Sequence, residues 1–150
     1  MSDKQPLGPL QRDWIAKLRS GDYAQTRAFL RDESGYCCLG IALEHVIGVQ
    51  PEAQSEGHWI YSVQASDGRN VAMSDTLSDP CAATLGLRSG DAVIEKEMIP
   101  VDQACNLWIR MGLGDSQTVS LAEMNDYGLT FEEIADFIEA NPEAVFKEPR

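Results

Sequence analysis

Gly35-Tyr36-Cys37-Cys38-Leu39-Gly40-Ile41-Ala42-Leu43 is the stretch on which the fold turns. Three small residues, Gly35, Gly40 and Ala42, are set among Tyr36, Leu39, Ile41 and Leu43, with Val46 and Ile47 following. That mixture suits a segment covered on several sides, where backbones come close. It predicts a buried helix from Cys37 to Ile47, stopped by Gly48 and reinforced by Pro51.

Around this segment the chain of 150 residues has the size of one domain. Its apolar fraction of 43% and charged fraction of 24% are globular values. No apolar run approaches the roughly 18–20 residues that cross a bilayer. Met1-Ser2-Asp3-Lys4-Gln5-Pro6 carries no apolar stretch of the kind a secretory signal needs. A cytoplasmic protein with no membrane contact is expected.

On the N-terminal side, residues 1–9 read as a loose lead-in with Pro6, Gly8 and Pro9. Leu10, Trp14, Ile15 and Leu18 recur at helical spacing, and Gly21 ends that helix. A second helix is expected from Asp22 or Tyr23 to Arg31, before a turn at Asp32-Glu33-Ser34-Gly35.

On the C-terminal side, Gln50 to Gly57 reads as a polar loop. His58 to Val63 and Asn70 to Met73 read as two strands joined at Ser66-Asp67-Gly68-Arg69, where Asp-Gly supplies positive φ. Two strands alone are marginal, so this hairpin should lie on the helices. Asp79 reads as the N-cap of a short helix, with Pro80 at its first position and Gly86 past its end. Ala92-Val93-Ile94 fits a strand or an extended loop.

Pro100 opens a helix from Val101 to Met111, with Val101, Ala104, Cys105, Trp108 and Met111 on its inner face. Asn125-Asp126-Tyr127-Gly128 is turn chemistry, and Thr130-Phe131-Glu132-Glu133 is a capping box. The helix it opens turns Phe131, Ile134, Ala135 and Ile138 inward and Glu132, Glu133, Asp136 and Glu139 mostly outward. Asn141-Pro142 ends it, and Val145-Phe146 packs a last turn. The fold class is α+β: one mainly helical domain with a small antiparallel hairpin. Leu-Arg-Ser-Gly-Asp occurs at residues 18–22 and again at 87–91 with unmatched flanks, as reused turn chemistry.

The net charge is −12 and uneven. Up to Glu33 six bases face five acids; beyond it acids dominate. Such a charge repels phosphates and acidic lipids, which argues against direct nucleic-acid binding. It is compatible with a partner that has a basic surface, and solubility alone is the plainer reading.

Cys37 and Cys38 stand at a helix N-terminus, where the dipole favours a thiolate. Either could be a nucleophile with His58 as base, the order found in papain-like hydrolases. The alternative is that Cys37, Cys38, Cys81 and Cys105 are free buried thiols, the expected state without export. Adjacent cysteines lack the usual metal-clamp spacing, so no metal and no cofactor is expected. His45 falls at the helix C-terminus, which favours a cation. Asn125 and Asp126 could serve a ligand or, with Glu123, a metal; an Asx turn fixing the last helix is the plainer reading. Trp14, Trp59 and Trp108 read as core anchors, and Trp59 beside Tyr61 could instead form a contact patch.

Tyr36-Cys37-Cys38-Leu39-Gly40, preceded by Leu18-Arg19-Ser20-Gly21 and Tyr23-Ala24-Gln25, resembles the opening of a family of small uncharacterised proteins of bacteriophages and prophage-bearing bacteria. Leu121-x-x-Met124-Asn125-Asp126-x-Gly128-x-Thr130-Phe131-x-x-Ile134-Ala135-Asp136 resembles its close. The resemblance covers roughly residues 14–48 and 121–141 and implies a phage-associated cytoplasmic setting, with no functional residues to carry over. The function expected is that of a non-enzymatic accessory protein. It would bind a host protein, counter-defence being one form, or sequester a small ligand. Its contacts would be Trp59 and Tyr61 or Glu132, Glu133, Asp136 and Glu139. A cysteine hydrolase is the alternative, and the oligomeric state is left open.

Overall fold

A computed structural model describes residues 5–65 and 67–150 and shows why the Cys37 stretch tolerates only small residues at set places. Cys37 caps a short helix α2 (Cys38–Ile41): its backbone is extended and its Sγ accepts from the Gly40 amide at 3.3 Å. A Cβ on Gly40 would stand 1.8 Å from the Leu30 carbonyl oxygen, so only glycine allows this approach. The helix continues as a π-wound turn over Ala42–Ile47 and ends at Gly48 in the left-handed region. The expected helix is therefore present, with its second half wound wider.

The helices pack around this segment. Helix α1 (Pro9–Arg19) buries Trp14, Ile15 and Leu18. Trp14 donates to the Cys38 carbonyl at 3.0 Å and sets its ring edge-on to Phe146 at 6.1 Å. The start of α1 is tied down rather than loose. The Gly8 amide donates to Gln11 Oε1, and Leu10 donates to the Arg150 carbonyl. Met1 to Lys4 of the expected lead-in lie outside the described residues.

The sheet is larger than a hairpin. Strands β1 (Arg31–Asp32), β2 (Gly35–Tyr36), β3 (Pro51–Ser55), β4 (His58–Gln64) and β5 (Asn70–Met73) form one antiparallel sheet around β4. The expected β4–β5 pair is present, with Tyr61 opposite Met73 and Gln64 opposite Asn70. Ser66, in its expected turn, lies outside the described residues. Two expectations fail here. The polar loop is strand β3, joined to β4 through Glu56 and Gly57, both at positive φ. The expected second helix is irregular chain running into β1, because other elements take its backbone groups. Thr26 and Tyr36 exchange with Tyr36 and Ala24 across a bridge, and Ala28 sits at φ 74°.

Helix α3 (Asp79–Leu85) has Ser78 at its N-cap position, one residue before the expected cap and without a side-chain capping bond, and stops at Gly86. Val93–Glu95 is a strand, β6, paired with β7 (Thr118–Ser120). Between them α4 (Val101–Met111) buries Ala104, Leu107, Trp108 and Met111. Its inner face is thus rotated from the expected one: Val101 and Cys105 are exposed, and Leu107 takes their place.

Asn125, Asp126 and Tyr127 are not a turn. They belong to helix α5 (Leu121–Tyr127), opened by a Ser120–Glu123 capping box and closed by Gly128 at φ 110°. The second capping box, Thr130 with Glu133, opens α6 (Phe131–Ala140) as expected. Helix α7 (Pro142–Val145) then buries Val145 and Phe146 against the core. One α+β domain results, about 43% helical.

Candidate functional site

The two sequence motifs meet in space, and they meet as a lock. Asn125 is wholly buried in α5 with every polar atom used. Its Oδ1 accepts from the Cys38 amide at 3.2 Å and from Gln25 Nε2 at 2.8 Å. Its Nδ2 donates to the Thr26 carbonyl at 2.8 Å. Asp126 Oδ1 accepts from the amide of Ala28 at 2.7 Å, holding that residue in its left-handed conformation. Gln25 also reaches the Leu129 carbonyl. Asn125, this fully engaged, has no valence left for a ligand; together with the Asp126 Oδ1 bond it positions loop 24–28 on the start of α2.

The thiols sit inside the same lock. Burial pushes the Cys37 thiol up to about 12, and burial together with the neighbouring Cys37 raises Cys38 as well. Cys38 Sγ points at the Leu121 carbonyl, 3.7 Å away. His58 stacks flat on Phe29 with ring centroids 4.2 Å apart, and its Nδ1 is buried without a partner. Cys81 is buried too; Cys105 is exposed, against the expectation of four buried thiols.

A second polar cluster was not foreseen. Glu44, buried in the π turn, accepts from Tyr61 Oη (2.8 Å) and Arg31 Nη1 (3.0 Å) on Oε1. On Oε2 it accepts from Tyr36 Oη at 2.8 Å, with His45 Nε2 3.1 Å away. Arg31 lies between the rings of Trp59 and Tyr36, 4.4 and 4.9 Å from their centroids. Burial and the Glu44 bond raise the Tyr36 hydroxyl to about 12. Tyr61 is therefore corrected: it is 0% exposed and its hydroxyl is committed inward, so it offers no outer contact. Trp59 is half-buried under its own arginine. The only sequence signal was Glu44 at an apolar position of a buried helix.

The acidic face of α6 is less bare than its sequence. Arg19 from α1 bonds Asp136 at 2.7 Å and Glu139 at 3.0 Å. Arg110 from α4 pairs with Glu133, whose carboxyl it holds down at about 2 with help from the Thr130 amide. Glu132 has no ion-pair partner among the described residues. These pairs are exposed and screened, but they tie α6 to its neighbours and use most of the charge assigned to a partner.

What remains uncovered lies on α4. Among the described residues four large apolar side chains are exposed, and three fall within one short segment: Met98 (36%), Val101 (79%) and Ile109 (80%). Val101, Cys105 and Ile109 make one i, i+4, i+8 row on the helix. Beside the row run two open recesses of about 470 and 490 Å³, both lined by Lys96 and Cys105. Trp108 and Gly112 line the first, Ile99 and Ala104 the second. The Lys96 ammonium lies 5.2 Å from the Trp108 ring. Sequence reasoning missed this surface because the spacing of Val101 and Cys105 fits either phase of the helix.

Residues 9–142 match the family model of a domain of unknown function (DUF8296), and the chain belongs to that family. No curated protein and no solved structure matches it. No helix of the described residues is long and apolar enough to cross a membrane.

Proposed function

We propose that this member of the DUF8296 family works by binding another protein, without chemistry of its own. One observation carries the reading. Of the four large apolar side chains exposed among the described residues, three (Met98, Val101 and Ile109) are gathered in one segment beside open recesses, and the fourth is Tyr127, on a chain of net charge −12. Soluble surfaces scatter such residues singly, and a gathered set marks a contact face. The charge suits a partner with a basic surface, which would meet it faster and lose it at high salt. The phage-associated setting, and with it a host protein as target, rests on the resemblance of the Tyr36–Gly40 and Leu121–Asp136 motifs.

Hydrolysis by Cys37 or Cys38 has less support. A cysteine nucleophile acts as thiolate, and both sulfurs are buried with their ionisation pushed upward. Immobilised protein exposed to bacterial host lysate tests the binding reading. A saturable protein retained at low salt and released at 0.5 M salt is expected. Retention no better than on an equally acidic control protein overturns it.

A further inference from the structure

We infer that the recessed face between α4 and the β6–β7 pair takes a basic amphipathic helix, supplied by the protein partner. The inference rests on the binding reading above and adds the face and the chemistry of the occupant.

The floor and rim differ in kind. Cys105, Trp108, Ala104 and Ile99 form an apolar floor, and Val101 and Ile109 rise beside it on the exposed side of α4. Val101 and Ile109 lie eight positions apart, about 12 Å along the helix, which matches two turns of a docked helix. Glu95 and Glu97 line the adjoining recess with Gln117 and Thr118. Asp102 and Asp115 are exposed next to Val101 and Gly114. Two bases stand nearby. Arg110 is already taken by Glu133, and Lys96 lies over the Trp108 ring. The recess thus already holds one ammonium against an aromatic face, and its acids have no ion-pair partner among the described residues.

That arrangement selects the occupant. Apolar anchors at i, i+3 or i+4 would fill the floor, and flanking lysines or arginines would meet the carboxylates. A second copy of this chain would bring another −12 of charge to the same rim, which opposes self-docking. A neutral apolar helix would leave the rim acids facing it unpaired.

Cys105 reports on the face directly, since it lines both recesses and is exposed while Cys37, Cys38 and Cys81 are buried. The probe is a designed sixteen-residue helical peptide of leucine and lysine, with a leucine–glutamate peptide of the same pattern as control. Alkylation of Cys105 is followed by mass spectrometry, and amide shifts by NMR. The lysine peptide is expected to slow Cys105 alkylation at least tenfold and to shift amides of residues 95–117. Raising salt from 50 to 300 mM should weaken it about tenfold, and the glutamate peptide should do nothing. Ile109→Glu should abolish protection, and its unchanged circular dichroism shows that it still folds. Equal protection by both peptides, shifts spread over other acids, no protection at all, or dimerisation abolished by Ile109→Glu would each overturn the inference. Lysate capture that survives Ile109→Glu would remove this face and leave the binding reading standing.

Discussion

Asn125 is wholly buried with every polar atom partnered; Ile109 is 80% exposed, in a row of apolar groups beside acids with no ion-pair partner among the described residues. Both positions lie on helices, and both helices end at a glycine in the left-handed region. The difference is what each helix faces. Helix α5 meets α2 and loop 24–28 from within the chain, whereas the row Val101, Cys105 and Ile109 on α4 is left exposed among the described residues. A buried, saturated polar network specifies one arrangement of the core. An exposed apolar row contributes nothing to folding, so stability gives no reason to keep it.

Breaking the first region should cost the most. Asn125→Ala leaves the Cys38 amide and the Thr26 carbonyl without this partner and the Gln25 amide group with only the Leu129 carbonyl. It is expected to lower unfolding free energy by about 3 kcal/mol, read from the urea midpoint. The Glu44 cluster is the same kind of structure, but Arg31 and His45 keep some access to water. Glu44→Gln removes the charge that three groups share and should cost about 2 kcal/mol by the same measurement.

The alkaline limb sharpens the contrast without a mutation. Folded Cys37 holds its proton up to about 12, whereas in the unfolded chain it loses it near the ordinary thiol value of 9.0. The unfolded state therefore binds fewer protons above that point, and stability falls as pH rises from 9 toward 12. Tyr36 adds to the same limb from its ordinary 10.0 to about 12. Guanidinium titrations at pH 8, 9 and 10 should show the fall, and Cys37→Ala should blunt it. Of all changes, Ile109→Glu is expected to move stability least, by no more than about 0.5 kcal/mol in thermal unfolding. A large loss there would mean that α4 is a core helix on both sides and would erase the contrast.

The parts of the fold that were legible share a range. The Thr130–Glu133 capping box, the glycine stops at Gly48 and Gly86, and the β4–β5 pairing are written within a few residues of where they act. The misread parts depend on distant groups. Residues 22–31 carry a helical pattern, yet Asp126 and Asn125, about a hundred residues on, take up Ala28 and Thr26. Strand β3 has poor strand residues, Glu52, Ala53, Gln54 and Ser55, and exists because β4 offers it an edge.

The sequence by itself determined the helix stops at Gly48 and Gly86, the Thr130–Glu133 capping box, and the large negative charge. Local chemistry acts through one turn of backbone, and composition needs no geometry at all. Only the tertiary structure decided which face of α4 is covered, that Tyr61 turns inward to Glu44, and that Arg19 and Arg110 spend much of the acidic face. Those outcomes depend on which side chains arrive from elsewhere in the chain, and burial and pairing are properties of the assembled neighbours.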